Sequence, residues 1–359
     1  MKHLLPATLA LSMLAGPAAA QGSGVTLYGI VDNAVEIQHV SAGSAGPART
    51  SRQLVSGTFS ASRFGFKGSE ELGDGLRAFF QLEDGFNSDD GTITGAAFWG
   101  RKAIVGLGSN AWGDLWMGRD YTPAFWVQYF TDVNAFAMYG NSGTMSAFAL
   151  TGMLRASNGV FYASPEFKGL RARLTYTFGD ESPTAPTDVG KVLGLSLEYR
   201  SPTLSAGAYH QTRRVAFPAN GSTSASSVYE GVTALYDFGG WAAGGGFTRY
   251  DPAGPDTATS GATRSLWASV QVRFGQGDLR LNIGRINTAV SVPTQGRSTL
   301  VGINYNYALS KRTNLYAGVG QTRNNVSAQL GLEGASRAIP NNGRDSDTTA
   351  AGAGIRVTF

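Results

Sequence analysis

From Gly22 onward the chain is a succession of short segments in which apolar and polar residues alternate. Residues 170–178 are the clearest case. Leu170, Ala172, Leu174, Tyr176 and Phe178 share one face, while Arg171, Arg173, Thr175 and Thr177 share the other. Successive strand side chains point to opposite faces, so this ribbon is oily on one side and polar on the other. The same alternation runs through residues 193–199, 266–274 and 301–307. At the C-terminus Ala353, Ile355, Val357 and Phe359 oppose Gly354, Arg356 and Thr358. Two architectures accept such ribbons. A secreted sandwich or β-helix pairs the oily faces into a core, whereas a membrane barrel turns them to lipid and keeps the polar faces for a wet lumen. Several strands carry Leu, Val or Tyr at nearly every outward position, and nothing protects the edges a sandwich would have. The pattern therefore favours an all-β, antiparallel transmembrane barrel.

Charged residues make up only 15% of the chain, against about 25% in soluble domains. Glycine is abundant, at 49 residues, and a closed hydrogen-bonded cylinder would supply the rigidity such a chain lacks. The formal charge of +4 is small and dispersed, with no basic run of the kind that tracks phosphates, so nucleic acid is not an expected partner. The chain has no cysteine, which excludes disulfides, thiolate metal sites and cysteine nucleophiles.

Residues 1–20 read as a secretory signal: Lys2 and His3 start it, an apolar stretch follows, and Ala18-Ala19-Ala20 is the cleavage site. No later run of about 18 apolar residues occurs, so an exported membrane protein of this sequence crosses by strands. Residues 21–359 are then one barrel domain. Short connections (68–75, 109–113, 165–169, 200–203, 238–240, 275–278, 308–312) alternate with long ones (39–50, 87–95, 180–190, 215–226, 251–263, 323–345). Short turns at one end and long loops at the other are the outer-membrane pattern, and threading strands between them gives about sixteen. Tyr199, Phe238, Phe274, Tyr307 and Phe359 would end the descending strands as a periplasmic aromatic girdle.

One connection differs. Residues 121–152 contain Phe125, Trp126, Tyr129, Phe130, Phe136, Tyr139 and Phe148, with Asp132 but no lysine or arginine. A loop this long in a compact fold is usually functional. Its composition suits a loop folded into the barrel; an exposed loop, or one packed at a subunit contact, is the other option.

No G-x-S-x-G or G-x-G-x-x-G occurs, and His39 and His210 lack metal-ligand neighbours at suitable spacing. No metal or cofactor is expected. His210, beside Gln211 and Thr212, is the one candidate for half of a catalytic pair, and a rim residue is the simpler reading. What remains is electrostatics, since wide pores select ions by charged side chains at the narrowest ring. With Phe64 and Phe66 facing lipid, Arg63, Gly65 and Lys67 face the lumen. Arg101 and Lys102 are adjacent, so alternation allows only one of them inside. Arg155 follows the long loop. Arginines snorkelling to headgroups or lipopolysaccharide are the alternative, but charge on the lipid face at mid-depth costs about 2–4 kcal/mol. Asp120, Arg171 and Arg173 are further pore-lining candidates. Gly194, Ser196, Gly302 and Gly354 point to an open lumen. Arg356, near the periplasmic end, is expected to matter less than Arg155.

Residues 25–32 (VTLYGIVD), 62–65 (SRFG) followed by 68–73 (GSEELG), 118–120 (GRD), 158–165 (NGVFYASP), 307–313 (YALSKRT) and the terminal Phe359 together resemble Gram-negative general porins of the beta-proteobacterial, neisserial type. The resemblance implies a sixteen-stranded barrel, a homotrimer and a third loop folded inward to form a constriction. It implies passage of small hydrophilic solutes and ions through the outer membrane, with anion preference set by eyelet arginines that match Arg63, Arg101 and Arg155. Asp132 matches the acid facing them, and the two together would set a transverse field. Phe359 matches the signal read by the barrel-assembly machinery. A channel specific for organic acids or sugars, and an adhesin with a sealed lumen, are the competing readings.

Overall fold

Ribbons of this kind need an apolar surrounding for each oily face and a partner for each backbone group. The computed structural model answers this with a closed antiparallel sheet. It describes residues 24–95, 97–145, 154–179, 188–217, 223–253, 261–288, 295–335, 338–339 and 341–359. The signal segment and Phe148 lie outside the described residues.

In chain order the elements are β1 (Val25–Val40), β2 (Arg49–Ser56), β3 (Arg63–Gly73), β4 (Leu76–Gly85), β5 (Lys102–Ser109) and β6 (Gly113–Tyr121). Helices α1 (Pro123–Thr131) and α2 (Ser142–Met145) follow. Then come β7 (Arg155–Ala163), β8 (Leu170–Thr177), β9 (Val192–Arg200), β10 (Leu204–Phe217), β11 (Thr223–Asp237) and β12 (Trp241–Asp251). The chain ends with β13 (Thr263–Phe274), β14 (Gly277–Thr288), β15 (Gly296–Ala308), β16 (Thr313–Asn324), the short pair β17 (Leu332–Glu333) and β18 (Ala338–Ile339), and β19 (Thr348–Thr358).

The large sheet has 17 segments but sixteen wall positions, because β2 and β3 both pair with β1 and form one interrupted strand. Each strand then pairs with its sequence neighbour. β1 closes the ring on β19, from Ile30↔Thr358 to Val40↔Thr348. The C-terminal residue seals the seam: the Gly29 and Phe359 backbones exchange two hydrogen bonds of 3.1 Å. Closure removes sheet edges, and in hydrocarbon each unpaired backbone group would cost several kcal/mol.

Faces follow the alternation. On β9, Leu193, Leu195, Leu197 and Tyr199 are exposed, while Gly194, Ser196 and Glu198 are buried on the inner side. The expected girdle residues Tyr199, Phe238, Phe274, Tyr307 and Phe359 are all exposed at the short-turn end. Two connections differ from expectation. β3 continues through Ser69, Glu70 and Glu71, paired with Phe79, Ala78 and Arg77, so the turn is only Gly73–Asp74–Gly75, with Asp74 at φ 50°. Residues 215–217 and 223–226 are likewise strand, paired from Val215↔Ala225 to Phe217↔Thr223.

Candidate functional site

Residues 122–145 turn back against the inner wall. α1 starts with Pro123 in its first turn, where a missing N–H costs nothing. Its buried side then bonds to the wall. Gln128 Nε2 donates to Tyr209 Oη (2.7 Å) and Tyr229 Oη (2.6 Å), and Thr131 Oγ1 to Thr233 Oγ1 (2.7 Å). Further on, Tyr139 bonds to Glu36, and Asn304 Nδ2 donates to the Tyr139 carbonyl (2.8 Å).

Inner-wall glycines make the seat. Pro123 lies over Gly194, Val127 over Gly207, Met145 over Gly284 and Tyr139 over Gly302 and Gly320. A Cβ at Gly302 would stand 2.3 Å from the Tyr139 carbonyl oxygen. Gly194 and Gly302 were expected to keep the lumen open. They also supply depth in the wall that lets the loop lie close.

Beside the loop is a space of about 410 Å³. Arg63, Arg101, Arg155, Arg280 and Arg356 line it from the wall, and Phe59, Tyr121, Phe125, Tyr129 and Phe136 supply aromatic surface. No Asp or Glu is among its described lining residues. Arg101 Nε is paired with Glu83 (2.7 Å), and Arg280 with Asp278. Arg63, Arg155 and Arg356 have no ion pair among the described residues. Tyr121 Oη accepts from both Arg101 Nη2 and Arg155 Nη2, each at 2.7 Å. Arg356 donates to Asn314 (2.7 Å) and Ser60 (3.1 Å).

A second space of about 470 Å³ lies toward the short-turn end. Lys67, Arg77, Lys102, Arg171 and Arg173 line it with Asp114, Asp120, Trp116 and Trp126. Here most cations are compensated: Lys102 Nζ to Asp120 (2.9 Å), Arg173 Nε to Glu198 (2.8 Å) and Arg77 to Asp114 (2.5 Å).

Three expectations are corrected. First, Asp132 does not face the arginines. It is buried, and its carboxylate accepts from Asn134 N (2.9 Å), Phe136 N (3.1 Å), Ser142 N (2.9 Å) and Ser142 Oγ (3.0 Å). It ties the loop to itself; burial raises its pKa above the usual carboxylate value while these donors pull it back. Asp132 therefore does not supply the acid of the expected transverse field at this point. Second, Arg101 and Lys102 both reach the interior. β5 begins at Lys102, so Arg101 sits on irregular chain before the strand and is free of its alternation.

Third, Arg356 belongs with Arg63. Strands are tilted, so distance from a strand end does not give depth. Register does: Arg356 is opposite Asp32, two residues from the Ile30↔Arg63 pair. Alternation alone would have pointed Arg280 inward as well, since Leu281 and Ile283 face out. Phe59 carried no sequence signal. It is brought inside by the break at residues 57–62, which Asp32 holds by accepting from Thr58 N and Ser60 N (both 3.1 Å). His210 lies on the outer face, 3.3 Å from Glu230.

Comparison with known proteins agrees with this architecture. A family model described as Gram-negative porin matches residues 7–327. An outer membrane porin protein of Bordetella pertussis is 28% identical, over 100% of both chains. Outer membrane porin protein 32 of Delftia acidovorans is 30% identical, over 90% of this chain and 91% of its own. Among solved structures, the anion-selective porin from Comamonas acidovorans superposes with a TM-score of 0.79 at 27% identity, covering 94% of this chain and 100% of that one.

Proposed function

Because the chain belongs to the Gram-negative porin family, an outer-membrane channel for passive diffusion of small hydrophilic solutes, we propose that its narrowest passage lies between the loop and the arginine wall and prefers anions. The observation that carries this is the convergence of Arg63, Arg101, Arg155, Arg280 and Arg356 on a space with no carboxylate among its described lining residues. Within a low-dielectric wall such a cluster raises the local concentration of counter-ions. The anion selectivity of the Comamonas acidovorans protein supports the same sign. Lys67 and Arg171 extend the positive wall toward the periplasm, while Glu198 offsets Arg173 and Asp120 offsets Lys102 there. Residues 1–20 act as the cleaved signal. We read the protein as a channel and not an enzyme; the outward His210–Glu230 pair supports a rim role for that histidine.

Vesicles preloaded with size-matched solutes test the selectivity. A carboxylate is expected to leave faster than an amine of the same size, and neutral sugars at rates that fall smoothly with size. Faster loss of the amine contradicts the assignment.

The outer wall supports two partners. Phe64, Phe66, Phe98 and Trp99 form an aromatic cluster there, over Asp84, whose two buried carboxylate oxygens have no partner among the described residues. We place a subunit contact of a homotrimer on this patch. Arg264, Arg285, Arg297 and Arg323 point outward on β13–β16, above the exposed Ile283, Val301 and Val319, at the level where lipopolysaccharide phosphates would meet them. Native mass spectrometry of protein extracted from outer membranes is expected to find a trimer retaining lipopolysaccharide. Deleting Phe359, taken as the assembly-machinery signal, should lower its yield severalfold. A lipid-free monomer contradicts both placements.

A further inference from the structure

The loop side of this passage is aromatic where an acid was expected. Phe125 stacks on Tyr129 (ring centroids 5.4 Å apart) and touches Phe136 (5.2 Å), and Tyr129 meets Phe136 edge-on (6.1 Å). These three rings form one continuous face on the loop. Tyr129 is partly exposed on α1. Arg63, Arg155 and Arg356, the lining arginines with no ion pair among the described residues, border the same space. The Nε atoms of Arg155 and Arg356 are buried without a hydrogen-bond acceptor among the described residues.

Guanidinium and ring are already held at contact distance. Arg155 lies 4.3 Å over the Tyr121 ring, and Tyr121 stacks on Phe125 at 3.9 Å. An inorganic anion can use only the cationic side of such a passage. A carboxylate attached to a flat ring can use both: the acid forms charge-assisted bonds to guanidinium donors, and the ring lies on the aromatic face.

We propose that this passage is a binding station for aromatic carboxylates, which occupy it saturably and cross in preference to aliphatic acids of similar charge. The inference rests on the anion-preferring reading above. It requires affinity strong enough to retain the acid briefly and weak enough to release it, the general condition for facilitated passage through a pore. The space of about 410 Å³ accommodates a one-ring acid beside the loop.

The test uses the mature protein in planar bilayers in KCl. Benzoate, acetate (charge without ring) and benzyl alcohol (ring without charge) are added in turn. Benzoate is expected to reduce the current saturably, with half-block at a concentration about tenfold below that of acetate. Benzyl alcohol is expected to do nothing. Tyr129→Ala should raise the benzoate half-block concentration by about threefold to tenfold, and that of acetate less. If Tyr129→Ala does not assemble, the comparison of the three solutes in the unmodified protein decides alone. Equal block by benzoate and acetate, with chloride still preferred over potassium, overturns the station and leaves the anion channel standing. Loss of the chloride preference itself sinks the reading beneath it.

Discussion

Replacing both Arg155 and Arg356 with glutamate is expected to turn an anion-preferring channel into a cation-preferring one. The reversal potential in a KCl gradient changes sign. The two substitutions shift the lining charge by four elementary charges in a space where Arg101 and Arg280 are already spoken for by Glu83 and Asp278. Local counter-ion enrichment in a charged cleft is about tenfold or more, so the anion-to-cation permeability ratio should fall by at least about tenfold. The effect should be largest in dilute salt, since the screening length shrinks from about 10 Å at 0.1 M to about 3 Å at 1 M. Single neutral variants, Arg155→Gln and Arg356→Gln, are expected to give comparable partial shifts, because both guanidinium groups line the same space. Arg264→Glu is the control: that side chain faces outward and should leave the reversal potential where it was. A double variant that keeps its anion preference would remove these arginines from the selectivity mechanism.

Gly302→Val is expected to lift the loop from its seat and widen the passage. The new side chain would occupy the volume held by the Tyr139 carbonyl, which a Cβ alone approaches to 2.3 Å. Neither the strand nor the loop can yield cheaply. Gly302 is paired with Asn282 and Gly320 in the wall, and Asn304 two residues on bonds that same carbonyl. Overpacking of this kind costs about 1–3 kcal/mol. The expected result is a larger single-channel conductance, weaker ion selectivity and easier thermal unfolding in detergent. Ile303→Val, on the outer face of the same strand, should change none of these. A Gly302→Val protein that folds as well as the parent and conducts identically would mean that the loop does not set the passage width.

The faces of the wall were legible because lipid and water impose a period of two on every strand. Arg63, Lys67, Arg171 and Arg173 fall inside on that ground alone. Depth was not legible. Arg356 looks terminal in the chain yet lies beside Arg63, because tilt and register set height in a barrel and neither is written locally. Arg101 escaped for another reason: alternation binds only residues within a strand, and it precedes one. The aromatic content of the loop is consistent with the wall contacts made by Gln128, Thr131 and Tyr139. Asp132 misled because a lone acid in an apolar loop reads equally as a pore charge or as an internal tie, and only its four donors distinguish them. The glycines under the loop have a second role that the sequence did not indicate, since small residues leave room for whatever chain folds against them.

The most direct test is the reversal potential of the unmodified protein across a tenfold KCl gradient in a planar bilayer. An arginine-lined passage with no carboxylate among its described lining residues predicts a potential on the chloride side of zero, growing as total salt is lowered. A potential at zero or on the potassium side would contradict the assignment of these arginines to the narrowest part of the channel.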